Sequence, residues 1–413
     1  MHLTVIGGGV AGLTAALTAA EAGAQVTLYE AHHALGGRGR TAEGPYRANE
    51  GPHVFYTGPM WTWLRRRDLV GPVGRIPLRD AVTFRFRQHG AARALPPRGL
   101  VRLARTDLRK APVDVDFLTW ATGVAGAEAA RAAANFTGVV AFHHDPGSLS
   151  AAFVQERLRR VTAMPPGARY LRGGWGQAIE RMARRAREAG VRIETSARVD
   201  ALPEAHGPVV VATSLAAART LLGDDSLHGT SGRTALVDLG LANPRRGRRD
   251  AFIVSDLDAP GWVERFSATS SALAPAGRSL VQAQVPIAPG ESKADGSARA
   301  EALFDLGYPG WRERVEWRGE ALAQGRTGAL DLPGTTWRDR PAIDRGDGVF
   351  LAGDQVAAPG LLGEVAFNSG RRAAELALRA LRGTSSTEPT EPTEPTEPTE
   401  PTEPTEPLDL KVT

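Results

Sequence analysis

The chain has 413 residues, 42% of them apolar and 23% charged, the balance of an ordinary globular protein, and no run approaches the ~20 consecutive apolar residues that span a bilayer. It has no cysteine, which excludes disulfides, thiolate metal sites and a thiol nucleophile. The net charge of +4 conceals an asymmetry, because seven Glu lie in C-terminal Thr-Glu-Pro repeats and the remainder of the chain is about +11, nearly all of it from Arg.

Leu3 to Ile6 is a short apolar run that enters Gly7-Gly8-Gly9-Val10-Ala11-Gly12, and Leu13 to Glu21 has the alanine-rich spacing of a buried helix closed by Gly23. Gln25 to Tyr29 reads as the next strand, so the chain begins with a predicted βαβ unit and a parallel sheet. That opening leaves no room for a secretory leader, and the expected location is cytoplasmic. From about residue 77 to 166 the texture changes to mixed short segments, with Ala81 to Gln88 predicted as a strand and Ala125 to Asn135 as a helix. Gly173-Gly174-Trp175-Gly176 then precedes a periodic helix, Gln177 to Ala189, and strands at Val191 to Val199 and Val209 to Ala212. Residues 234–337 alternate strands with Pro-Gly turns, before a final buried strand, Gly348 to Gly353, and a final helix, Gly363 to Leu381.

The predicted fold class is therefore α/β: a discontinuous Rossmann-like domain from 1–76, 167–233 and 338–383, with an inserted α+β substrate domain from 77–166 and 234–337. Residues 384–413 are expected to be a disordered, extended and solvated tail. Proline at every third position removes backbone donors, and nothing apolar offsets the entropy of ordering.

Gly7, Gly9 and Gly12 have the Gly-x-Gly-x-x-Gly spacing, in which the glycines serve a tight turn, backbone approach to a pyrophosphate, and close helix packing. The following helix would present free N–H groups and its positive end to phosphate. Glu30, at the end of the second strand, is placed to accept both ribose hydroxyls, and an acid there disfavours a 2′-phosphate.

Gly36-Gly37-Arg38-Gly39-Arg40-Thr41 resembles the second glycine motif of the FAD-dependent amine oxidase and phytoene desaturase superfamily. Three further segments resemble that family in order: Asn49-Glu50-Gly51-Pro52-His53, similar to its approach to the isoalloxazine; Gly173-Gly174-Trp175 with Ala197-Arg198-Val199, similar to its adenine-side strand; and Gly348 to Arg372, similar to its C-terminal FAD motif. The resemblance spans nearly all of the chain ahead of the repeats. Gly51-Pro52-His53 and Ala366-Phe367-Asn368-Ser369-Gly370 look nearer to phytoene desaturase relatives than to monoamine oxidases. It implies a non-covalent FAD held by Gly7, Gly9, Ala11, Gly12, Glu30, Gly37, Arg38, Gly51, Pro52, His53, Val199, Gly353, Asp354, Gly363, Glu364 and Val365. Independently of the resemblance, an acid after a strand, Asp354, can hold ribityl hydroxyls, and a helix starting near Gly363 can aim N–H groups at the flavin edge that becomes negative on reduction.

His53, Tyr56 and Glu364 are the titratable groups that the resemblance places nearest the flavin, and they are the candidate catalytic residues. His143-His144-Asp145 is read as a loop and not a metal site, since adjacent histidines point apart and Pro146-Gly147 follows; no metal is expected. Arg65-Arg66-Arg67 and the Arg245 to Arg249 cluster are read as solvated faces, and no aromatic pattern or recognition module suggests nucleic-acid binding. Met60, Trp61 and Trp63 are equally consistent with a substrate pocket and with core packing.

The expected function is FAD-dependent removal of a hydride from a small or medium organic substrate, apolar or anionic, with desaturation of a C–C bond favoured. The alternatives are an amine or amino-acid oxidase using O₂, and a protein whose flavin is structural or supports a non-redox isomerisation. In the oxidase branch a Lys near the flavin N5 typically assists oxygen, and only Lys110 and Lys293 are available ahead of the repeats. Contact with a membrane surface, without a transmembrane segment, is compatible with the basic charge.

Overall fold

The structure, a computed structural model, describes residues 2–51, 53–107, 110–203, 207–325 and 327–384. Its organising element is a five-stranded parallel sheet. The N-terminal strand His2–Ile6 pairs with Gln25–Tyr29 on one side and Val209–Val211 on the other, and Arg192–Glu194 and Val349–Leu351 form the two edges. Its inner strands are near-continuous apolar runs because a parallel sheet is covered on both faces; Leu3, Val5, Leu28, Val210 and Leu351 are all buried. The helix Val10–Glu21 packs against both Trp175–Glu188 and the C-terminal helix Gly363–Thr384. Only glycine permits the second contact at Gly370, where a Cβ would stand 2.3 Å from the Ala11 carbonyl oxygen.

A second, mixed sheet has seven strands, in the order Val315–Gln324, Arg233–Ala242, Arg278–Pro286, Gly261–Glu264, Ile253–Asp256, Arg85–Gln88 and Ala91–Arg93. Period-two alternation divides its faces. Ala235, Val237, Leu239, Val281, Ala283 and Val285 share a core with Leu303 and Phe304 of the helix Lys293–Gly307. The intervening Asp238, Gln282, Gln284 and Glu264 face the other way, toward the segment 46–53 and the parallel-sheet body. The helices Arg98–Arg105, Phe117–Ala125, Ala127–Ala141 and Ala151–Val161 build a separate core against the end of this sheet, around Leu103, Phe117 and Leu158.

Between the two bodies lies a small sheet in which Ala168–Leu171 is flanked by Phe55–Tyr56 and Val73–Gly74. Leu171 and Phe55 enter the parallel-sheet core, whereas Tyr170 joins Phe252 and Phe266 on the opposite side.

Four predicted strands are shorter than expected, Gly348 to Gly353 being reduced to Val349–Leu351 and Val209 to Ala212 to Val209–Val211. The one predicted at Val191 to Val199 ends at Glu194, because Ser196 turns into the left-handed region (φ 54°) and the backbone of Ser196 and Ala197 bonds to the carbonyls of His32 and Glu30. The one predicted at Ala81 to Gln88 begins at Arg85, since Pro77 starts a short helical turn, Leu78–Ala81. The helix predicted from Ala125 begins at Ala127 and runs on to Ala141. No helix among the described residues is long and apolar enough to cross a membrane. Pro52 and the Thr-Glu-Pro repeats lie outside the described residues.

Candidate functional site

The glycine turn leaves the first strand at the carboxyl edge of the parallel sheet, the edge at which such sheets bind ligands. Gly7 has φ +110°, and a Cβ there would stand 2.5 Å from the Ala212 carbonyl oxygen; at Gly12 it would stand 1.8 Å from the Gly7 carbonyl oxygen. Gly9 is different, with nothing within 4 Å of its Cβ position. The turn is thus closed where it packs and open at the position assigned to pyrophosphate. The first turn of the following helix has neither a side-chain cap nor an acidic residue, so it offers its N–H groups to an anion.

Glu30 is buried beneath this turn. Its Oε2 accepts from the Gly8 N–H at 2.7 Å, and its Oε1 accepts from the His32 N–H at 2.9 Å and contacts His32 Nδ1 at 2.8 Å. Burial opposes its ionisation, but these donors outweigh it and hold the pKa below the ordinary carboxylate value. The second glycine motif docks on the first. Gly36 N–H donates to the Gly8 carbonyl at 2.8 Å, and the Gly37 Cβ position lies 3.6 Å from Gly9 Cα. Val199 packs at the margin of the parallel-sheet core, and Ala11 and Val365 are buried.

The N- and C-terminal motifs meet through Arg38, which forms a bidentate pair with Asp354 at 2.6 and 2.8 Å. The Asp354 charge raises the guanidinium pKa. Around this pair, Gly51 leaves room for the Arg38 backbone, its Cβ position being 2.5 Å from the Arg38 carbonyl oxygen. Gly353 N–H donates to Ser369 Oγ at 2.9 Å, and Gly363 packs on the Trp175 ring.

Of the three titratable candidates, Tyr56 and Glu364 are linked through Arg160, and His53 lies against the polar row of the large sheet. Gln284 Nε2 lies 2.6 Å from His53 Nδ1, which places the proton of the neutral ring on Nε2. That atom is buried without a partner. The ring stacks on Phe266 at 4.6 Å, and burial depresses its pKa to about 3. Tyr56 is raised above its ordinary value by burial and then by the Glu264 charge. Glu364 is engaged on both oxygens: Arg160 donates to them at 2.5 and 2.7 Å, and the Leu361 N–H adds a bond at 2.9 Å. Burial disfavours the charged Arg160, yet Glu364 outweighs it and raises the guanidinium pKa. Arg160 also stands 5.6 Å over the Tyr56 ring.

Arg160 was not a sequence candidate, nor was the polar row of the large sheet. Gln282 bonds both the backbone of Asn49 and, at 3.0 Å, Asp238; Glu264 accepts from Tyr170 Oη at 2.6 Å. Asp238 and Glu264 are both raised to about 7 by burial. Conversely, Met60 and Trp61 are buried in the parallel-sheet core and Trp63 meets Phe367 edge-on, so they serve packing. His143 turns back to the Asp145 carbonyl at 2.8 Å, and its ring lies 4.6 Å from that of His144, so the adjacent rings do not point apart as expected.

Residues 5–67 match the NAD(P)-binding Rossmann-like domain family. Solved structures extend the likeness to the whole architecture. An oxidoreductase from Methanosarcina mazei superposes with a TM-score of 0.73 at 16% identity, covering 91% of this chain and 100% of that one. The chain has the fold of that oxidoreductase. Cyclohexylamine oxidase from Brevibacterium oxydans shares that fold with a TM-score of 0.68, 17% identity and coverage of 92% and 99%. A reduced UDP-galactopyranose mutase shares it with a TM-score of 0.67, 14% identity and coverage of 92% and 96%. No curated protein matches the sequence.

Proposed function

We propose that this chain binds FAD non-covalently and removes a hydride, with a proton, from a small or medium organic substrate, desaturation of a C–C bond being the favoured reaction. One observation carries the reading. The Arg38 and Asp354 side chains pair across 316 positions of sequence, which supports a single site built from the C-terminal motif and the second glycine motif docked on the Gly7 to Gly12 turn. The open position at Gly9 and the unpartnered Nε2–H of His53 fit a ligand that brings phosphate to one end and hydrogen-bond acceptors to the other.

In this reading the Gly7 to Gly12 turn and the helix behind it hold the pyrophosphate, Glu30 the ribose, and Asp354 the ribityl chain, with Arg38 shared between phosphate and Asp354. When bound, FAD supplies the hydride acceptor. His53 is a neutral donor, and Glu364, locked to Arg160, is a positioning residue that ties the last helix to the helical core. Tyr56 stays a phenol and lines the substrate side.

Amine oxidation with O₂ has the cyclohexylamine oxidase likeness in its favour. Against it, Lys293 pairs at 3.3 Å with Glu320 on the strand Val315–Gln324, and Lys110 is exposed. Anaerobic photoreduction followed by acceptors separates the readings. We expect photoreduced protein to be reoxidised faster by an organic acceptor such as a quinone than by O₂. Rapid stoichiometric formation of H₂O₂ overturns the dehydrogenase reading, and a flavin that resists both steps overturns oxidoreduction altogether.

A further inference from the structure

A cleft of ≈ 710 Å³ opens between the segment 72–80 and the segment 265–271, at the far end of the small central sheet from Tyr56. Four guanidinium groups, Arg75, Arg79, Arg172 and Arg265, line it against a single carboxylate, Asp80. Arg265 is fixed by Asp80 at 2.6 Å, and Arg79 stands 3.7 Å from the same carboxylate. Among the described residues, neither Arg75 nor Arg172 has a carboxylate partner. One acid cannot neutralise four bases, so the cleft is an anion-attracting recess.

The rim adds a second, independent feature. Leu78 and Val82, four residues apart and so on one side of a helical turn, are 87% and 71% exposed. A dissolved anion has no use for two bare aliphatic side chains beside its site. A membrane surface uses both, since the apolar pair enters the headgroup layer while guanidinium groups meet lipid phosphate. The strongly basic charge of the chain ahead of the repeats acts in the same direction.

We propose that this cleft is a docking site for an anionic phospholipid surface, with Arg75, Arg79 and Arg172 taking headgroup phosphate and Leu78 and Val82 inserting shallowly beside it. The proposal does not depend on the flavin reading. It is tested by co-sedimenting the full-length protein with vesicles of phosphatidylcholine, with and without phosphatidylglycerol. We expect partition onto the anionic vesicles that declines as salt rises. Arg75→Glu with Arg172→Glu should lower it by at least ~20-fold, from the attraction each surface-bound Arg contributes. Leu78→Ser with Val82→Ser should lower it about tenfold at unchanged charge. All four side chains lie at the surface, so unchanged melting temperatures will show that the variants fold. Equal binding to uncharged vesicles, or binding that neither double variant weakens, overturns the proposal. So does calorimetric binding of inorganic phosphate, abolished by the Arg variants, without any vesicle partition, which would assign the cleft to a soluble anion.

Discussion

Glu264 ties the large sheet to the small central sheet through a hydrogen bond that should respond to pH. It is buried on the large sheet, with Tyr170 Oη donating at 2.6 Å and Trp262 Nε1 at 3.3 Å, and burial raises its pKa from 4.5 to about 7. At ~1.4 kcal/mol per pH unit, ionising it costs the folded state roughly 3 kcal/mol. The folded carboxyl holds its proton more tightly than the unfolded one, so this contribution is fully present below pH 4.5 and is lost as pH rises toward 7. Asp238 moves in the same direction. His53 moves oppositely, since its depressed pKa makes stability fall as pH drops below 6.5 toward 3. Glu264→Gln isolates the first effect, because the amide keeps an acceptor for Tyr170 and cannot ionise. In urea denaturation the variant should match the parent near pH 5 and exceed it by up to ~3 kcal/mol at pH 8. A parent and variant whose stabilities run parallel from pH 5 to 8 would refute the reasoning.

Two further outcomes follow from the same geometry. Glu30→Ala should weaken FAD binding ten- to a hundredfold, the roughly 1.5–3 kcal/mol of a lost charge-assisted bond, while reduction of protein reloaded with excess FAD stays near the parental rate; an unaltered affinity in a fluorescence titration would remove Glu30 from the ribose site. Truncation after Gly383 should leave flavin content and melting temperature unchanged and raise low-salt affinity for anionic vesicles, because seven Glu are removed and their screening length is only ~8–10 Å in physiological salt; a melting point several degrees lower would show that the repeats pack on the body.

The fold class was legible because its signals are local. Leu3 to Ile6, the glycine turn and an alanine-rich helix follow one another within a single βαβ unit, and the same apolar continuity marks Val209–Val211 and Val349–Leu351 as inner or edge strands of a covered sheet. Legibility faded where a partner came from elsewhere in the chain. Arg160 sits 204 positions from Glu364 and is one of 47 arginines, so no spacing rule could single it out. Gln282, Gln284 and Glu264 alternate with core residues on their strands, which reveals two faces without telling which face meets His53. The end of the strand predicted to run to Val199 was misread for a subtler reason: the apolar pattern continues, but a left-handed Ser196 redirects the backbone first.

The central claim is that the joined motifs hold FAD without a covalent bond. Its most direct test is the absorption spectrum of the purified full-length protein, followed by acid precipitation. The account predicts a yellow protein whose flavin is released completely into the supernatant and identified there as FAD. A colourless protein that binds only NAD, or a flavin that remains with the pellet, would contradict it.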